Sequence, residues 1–431
     1  MDALMHARRR RTPVRWFDAF VAHPFFQIAC GIGAGILVGY NYVLLRSAHV
    51  VHWNDFGKFY YAALNWKSGA SLYAPTIATK VFVESIGMQF LDLNPPHFHL
   101  LLLPITTVSF ETSARIWLVA NAVAAIAAIV LVMRELKLRI ALVHWLPLTC
   151  LSLASAATGA NSLTAQCGGI LMLPMALAWR SARRDEWGRC GAWLGVLVSI
   201  KPFLGLFLPT LALLRQWRAL WMLCVSALGC AVLGALVFGW WSYVEWFRAL
   251  QDVSWVWATM NGSIWALVEK SFGWSPYLTP VVLRPALVTP LSIAASAIVA
   301  IVSTRVVSRS IDHAFSVTVL ASLLISPLGW TYYLWLAVPG CFALWRVRLS
   351  PITWMGLLLL CVPLFGLAFG QPSALATVTV ASAYTWGILA LWIGTVIDQQ
   401  RPVHHASSMV TTSPSTVPDR SNEPAAISTT A

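Results

Sequence analysis

"FFQIACGIGAGILVGYNYVLL" (residues 25–45), followed by "HWNDFGKFYYAALNWKSGASLYAP" (residues 52–75), decides the fold. The first stretch is apolar over the length that crosses a hydrocarbon core, about 20 residues of helix. The second opens with a lone carboxylate, Asp55, and sets Lys58 and Lys67 among aromatic residues. A span that ends on charged aromatic sequence predicts a helix in the bilayer followed by one at headgroup level. Phe56, Phe59, Tyr60, Ala63 and Leu64 keep helical spacing, which supports the second helix.

Composition extends this to the whole chain. Of 431 residues 58% are hydrophobic and 10% charged, too few charges to coat a soluble domain. The formal charge of +13 lies mostly in short clusters between apolar runs. Such clusters orient helices, so nucleic acid is not an expected partner. The eight cysteines fall inside apolar runs without C-x-x-C spacing, which implies neither disulfides nor zinc. Residues 25–45 are too long for a signal-peptide core and lack a clear small-residue cleavage site, so they read as an uncleaved first span.

About twelve spans are expected, at residues 25–46, 113–133, 140–158, 166–179, 189–200, 203–214, 219–239, 286–304, 312–328, 333–345, 352–369 and 377–397. The fold class is therefore an all-α polytopic membrane bundle. The basic clusters Arg8–Arg15, Arg134/Lys137/Arg139, Arg180/Arg183/Arg184/Arg189, Arg215/Arg218, Arg305/Arg309, Arg346/Arg348 and Arg401 then fall on one side, which is cytoplasmic, with both termini. Three regions follow: a basic N-terminus (1–24), a membrane domain (25–400) with aromatic outer loops at 47–112 and 240–285, and a Ser-, Thr- and Pro-rich tail (401–431) expected to be disordered. No internal repeat divides the chain.

Several polar residues stand out against this background. Asp55 is either the N-cap of the interfacial helix or a general base at the membrane surface. Lys201 is the only charge between Arg189 and Arg215, and Pro202 follows it at once. It either snorkels to the interface or faces a cavity, where it suits a phosphate. "NPPHFHLLLLPI" (94–105) carries His97 and His99, a weak metal signal without further ligands, while Pro95 and Pro96 mark the start of a short helix. "GANSLTAQ" (159–166) and "NGSIWAL" (261–267) place Asn161, Asn261 and Ser263 where they hold sugar hydroxyls or make ordinary turns. "SPLGWTYY" (326–333) supplies Trp330, Tyr332 and Tyr333 for stacking on a sugar or anchoring at the interface.

In this order, "DFGKFYYAALNWKSGASLY", "NPPHFHLLLLP", "GANSLTA", "IKPFLGLFLPTLALLRQWRA", "NGSIWAL" and "SPLGWTYY" resemble glycosyltransferase family 87, the polyprenyl-phosphate-mannose-dependent type within the GT-C superfamily. The resemblance implies a GT-C helix bundle in the plasma membrane with its active site at the outer surface. It implies Asp55 as catalytic base, inverting transfer of a hexose, mannose by default, and a lipid or glycan acceptor. Lys201 then meets the donor phosphate, with Tyr60, Tyr61, His97, Asn161, Asn261, Ser263, Trp330, Tyr332 and Tyr333 as substrate contacts. The aromatic helix is expected to lie against the polyprenyl chain, and no metal or other cofactor is expected. The chain departs from the family at Gly159-Ala160-Asn161, where relatives often have Gly-Gln-Asn, and at Tyr332 and Tyr333, where relatives often have His. The alternatives are a multi-span secondary transporter, which would be expected to show two related halves and a midplane site, and a non-catalytic subunit of envelope-glycan assembly.

Overall fold

The computed structural model describes residues 20–52, 54–79, 91–138, 140–253, 255–275, 277–345, 349–362 and 372–397. The expected tail at 401–431, residues 1–19 of the basic N-terminus and the clusters at Arg8–Arg15, Arg346/Arg348 and Arg401 lie outside the described residues, as does Arg139.

The chain folds as helices α1 Pro24–Val50, α2 Asp55–Lys67, α3 Phe110–Glu135, α4 Leu142–Ala154, α5 Ala156–Thr164, α6 Gly168–Arg183, α7 Trp187–Ile200, α8 Phe207–Leu213 and α9 Trp217–Phe238. Then come α10 Trp241–Gln251, α11 Ile264–Phe272, α12 Val288–Val307, α13 Ile311–Ile325, α14 Val338–Trp345, α15 Pro351–Leu359, α16 Ala374–Val378 and α17 Ala383–Ile397. Among the described residues no strand forms; a single antiparallel bridge joins Asn261 to Trp330.

Among the described residues five helical stretches, Pro24–Lys67, Phe110–Glu135, Trp217–Phe238, Pro285–Val307 and Ala374–Ile397, are long and apolar enough to cross a bilayer, or six if α4 and α5, bent by 54°, make one span. Of the other six expected windows five hold shorter or broken helices, and 352–369 extends outside the described residues. α7 stops at Lys201, because the residue before Pro202 is forced out of helical geometry. The window at 203–214 is split between a 3₁₀ turn, Pro202–Leu206, and the seven residues of α8. The window at 333–345 likewise begins in a 3₁₀ turn, Thr331–Ala337. Hydropathy reports how apolar a segment is, not whether its helix is continuous.

The bundle is apolar on its outside as well as its inside. α1 exposes Ile28, Ile32, Ile36 and Val43, and α9 exposes Trp221, Leu228 and Leu236. α13 is buried over nearly its whole length and is covered by α12, α14 and α17. A protein with lipid as solvent needs this arrangement: every backbone group is satisfied within a helix, and apolar side chains face outward.

α3 and α6 pack against each other and set the axis of the site. Ser109 caps α3, with Glu111 in its first turn and Arg134 in its last, charges that suit the helix dipole. Its 26 residues span about 39 Å at 1.5 Å per residue. Near its start the Phe110 ring lies 5.6 Å from Phe56 of α2. At the far end Glu135 meets Arg184 at 2.8 Å and Arg180 at 3.5 Å, both near the C-terminus of α6. Arg183 holds Asp312 of α13 at 2.6 Å there. Arg180, Arg183 and Arg184 therefore gather at one end, and Asp55 lies at the other.

The aromatic face of α2 does not lie against lipid. Phe56, Phe59, Tyr60 and Ala63 are buried, and Phe59 packs on Phe98 and Trp117. The expectation that this face meets a polyprenyl chain is corrected: its ring area is consumed by the protein core.

Candidate active site

The corner between α1 and α2 is pinned by Asn54. Its Oδ1 accepts from the Gly57 N–H at 2.7 Å, capping α2, and its Nδ2 donates to Ala48 O at 2.6 Å. The cap is thus Asn54, and Asp55, one residue later, is left with its carboxylate available for other partners. A side chain at Gly57 would put Cβ 1.8 Å from His52 O, so only glycine lets the corner close. One turn on, Lys58 returns to Asp55, with Nζ 2.6 Å from Oδ1.

The second partner of Asp55 comes from α5. Ala165, buried after the last turn of that helix, takes a left-handed backbone (φ 50°), which costs an L-residue about 1–3 kcal/mol. Trp117 Nε1 donates to the Ala165 carbonyl at 2.8 Å, and the turn delivers Gln166 to the site. Gln166 Nε2 donates to Asp55 Oδ2 at 2.7 Å and stands 3.4 Å from the Tyr332 hydroxyl. Gly168 lets the Tyr332 segment approach: a Cβ there would lie 2.6 Å from Asn161 Oδ1 and 2.7 Å from Tyr332 O.

A second buried polar chain adjoins the first. Lys201, at the break between α7 and the following 3₁₀ turn, is 9% exposed, and its Nζ donates to Asn94 Oδ1 at 2.6 Å. The ammonium stands 4.9 Å from the Tyr333 ring centroid, a cation–π contact. Asn94 Nδ2 donates to Asp92 Oδ1 at 2.8 Å, and the Asn94 N–H donates to the same oxygen at 2.9 Å. His99, fully buried, brings Nε2 to 3.4 Å from Asp92 Oδ2. Asp55, Asp92 and Lys58 are the charged neighbours of Lys201.

The structure brings together Asp55, Lys201, Tyr332 and Tyr333 from the sequence-based set and sends the others elsewhere. Tyr60 donates to Val108 O at 2.8 Å, and Tyr61 hydrogen-bonds His52, both away from the carboxylate. His97 turns to Tyr243, with Nδ1 3.0 Å from the hydroxyl, and burial pushes its imidazole down to about 4. His97 and His99, two apart on a turn of three residues per repeat, face different sides and share no ligand. Asn161 is a strut: its Nδ2 donates to Tyr332 O at 2.9 Å and its Oδ1 accepts from Gly168 N at 3.2 Å. Asn261 donates to Pro327 O at 2.7 Å and Ser263 caps α11, so both do turn chemistry and neither offers a group to a sugar. Trp330, half-buried, stacks on Tyr332 with centroids 5.9 Å apart.

Sequence reasoning missed Lys58, Gln166, Asn94, Asp92 and His99 as site residues. Ala160 is buried in the core, and the amide beside Asp55 is supplied six residues later by Gln166. Among the described residues no group of three or more His, Cys, Asp or Glu is placed to hold a metal ion. The arrangement offers the buried Asp55 carboxylate with Lys58 and Gln166 as donors on it, and the Lys201 ammonium in the adjoining chain. That is a set able to take a proton on one side and meet an anion on the other.

A family model, glycosyltransferase family 87, matches residues 93–327, more than half of the 431-residue chain. The match includes Asn94, Gln166 and Lys201, and lies between Asp55 and Tyr332. No curated protein and no solved structure matches the chain.

Proposed function

This chain belongs to glycosyltransferase family 87 and is a membrane glycosyltransferase, and on that premise we propose that it moves a hexose, mannose by family default, from a polyprenyl-phosphate donor to an extracytoplasmic lipid or glycan acceptor. Membership in a transferase family sets aside the transporter and the non-catalytic subunit. The observation that carries the proposal is the buried Asp55 carboxylate, held by Lys58 and Gln166 beside the Lys201 ammonium.

In the proposed reaction Asp55 takes the proton of an acceptor hydroxyl. The acceptor oxygen forms a bond to the anomeric carbon as the bond from that carbon to the phosphate oxygen breaks. The electron pair leaves with polyprenyl phosphate, and the configuration inverts. Protonation of Asp55 discharges its ion pair with Lys58, so the Lys58 ammonium is no longer neutralised by that carboxylate as the charge on the phosphate grows. Lys201 and Lys58 together meet that charge, and the scheme routes no step through a metal. Tyr332 and Tyr333 pack beside these groups. We place the site on the outer face of the plasma membrane with both termini cytoplasmic, because Arg180, Arg183 and Arg184 gather at the opposite end of α3 and α6.

The test is transfer in nanodiscs from labelled polyprenyl-phosphate-mannose to total envelope lipid and glycan. Label in a product that requires the chain supports the proposal. Label transferred equally well from a nucleotide sugar, with none from the lipid donor, sinks it.

A further inference from the structure

Asn94 sits between the Lys201 ammonium and the Asp92 carboxylate. The chemistry of its neighbours fixes its orientation: a carboxylate only accepts and an ammonium only donates, so Nδ2 must face Asp92 and Oδ1 must face Lys201. Neither carboxylate that acts on Lys201 contacts it among the described residues: Asp55 is held by Lys58 and Gln166, and Asp92 turns Oδ1 to the Asn94 amide and backbone and Oδ2 toward His99. Lys201 is therefore held by a dipole, and its charge is not cancelled by a contacting anion. Among the described residues this is its only hydrogen bond, and the Tyr333 face covers another side.

We propose that Asn94 is a neutral spacer that positions Lys201 while reserving its charge for the phosphate of the lipid donor, so that residue 94 sets whether the site accepts an anion. This rests on the phosphate role assigned to Lys201 above. A carboxylate at position 94 has nearly the same shape but contacts the ammonium directly. The two carboxyl groups then share a proton, so the pair keeps one negative charge but sets it directly against the ammonium, where the phosphate arrives.

The experiment measures binding of polyprenyl phosphate, and of uncharged polyprenol, to the full chain in nanodiscs by protection against thermal unfolding. Asn94→Asp is expected to weaken polyprenyl phosphate at least about tenfold, the equivalent of about 1.4 kcal/mol, with polyprenol unchanged. The exchange variant Asp92→Asn/Asn94→Asp keeps an amide–carboxylate pair without like-charge contact, but sets the carboxylate on Lys201. It is expected to show the same selective loss, and it decides the matter if Asn94→Asp does not fold. Wild-type affinity for polyprenyl phosphate in a folded variant with Asp at 94, or equal losses for both lipids, overturns the spacer. Lys201→Met separates the two levels. Weakened phosphate binding there with normal binding in Asn94→Asp removes the spacer alone, whereas unchanged binding in Lys201→Met removes the phosphate role and the spacer with it.

Discussion

At one end of α3 and α6, Glu135 gathers Arg180, Arg183 and Arg184, whose side chains are 39%, 24% and 48% exposed. At the other end Asp55 pairs with Lys58, 8% and 10% exposed, and Lys201 is buried against an amide. Both ends are ionic, but they answer to different physics. The more exposed network is redundant, since Glu135 serves three guanidiniums, and surface pairs contribute about 0–1 kcal/mol each. Its effect is to join helices and to weight one side of the bundle with positive charge. The buried set costs desolvation that mutual attraction only partly offsets, so stability does not account for it. Buried charges of this kind mark a place where structure is held for chemistry.

Substitutions that separate the two ends test this contrast. Lys201→Met keeps the apolar stem and the break at Pro202, and is expected to weaken apparent donor affinity ten- to hundredfold, since a charge-assisted hydrogen bond contributes about 1.5–3 kcal/mol. Arg at the same place recovers part of it. Transfer rate against donor concentration decides, and unchanged donor affinity in the Met variant would make Lys201 a packing residue. At the opposite end Asp312→Asn removes the charge that Arg183 pairs with but keeps an acceptor oxygen for Trp179, and is expected to lower stability by about 1 kcal/mol, with turnover per folded molecule unchanged. A turnover loss there without a stability loss would erase the contrast.

Smaller effects sharpen it. Gln166→Leu removes one hydrogen bond to Asp55 and leaves the Lys58 pair, so about a tenfold fall in turnover with little change in donor affinity is expected. Equal effects on both would make Gln166 part of donor binding. His97, pushed from the usual 6.5 down to about 4 by burial, gives a pH signature on stability. Its folded value is below the unfolded one, so the unfolded chain binds more protons between about pH 6.5 and 4, and stability is lost as pH falls through that window, by about 1 kcal/mol at pH 5.5. His97→Gln should flatten the dependence in thermal unfolding from pH 7 to 5.5; an unaltered slope assigns it to another group.

The sequence made α2, its neighbouring break and two of the site's charges legible because each is local: helical spacing, a polar residue after an apolar run, a lysine before a proline. Its count of about twelve spans rested on apolar windows, and α7, α8 and α13 show that such windows also describe short helices inside a bundle. The cap was assigned one residue late, since Asn54 and Asp55 both suit that role and only the backbone chooses. Gln166 and Asn94 were within quoted motifs and still missed. Their meaning lies in contacts 111 and 107 residues away, and nothing near them in sequence announces a partner. Asn261 and Ser263 misled for the converse reason: their polar groups are used within the turn that holds them.

The most direct measurement sets Asp55→Asn beside Glu135→Gln in the same nanodisc preparation, reading transfer rate and melting temperature for each. If Asp55 is the base, its Asn variant still folds because Asn54 does the capping, melts lower because Lys58 loses its buried partner, and loses at least about a hundredfold in rate per folded molecule, while the Gln variant transfers normally per folded molecule. Near-normal transfer by a folded Asp55→Asn protein would contradict the account.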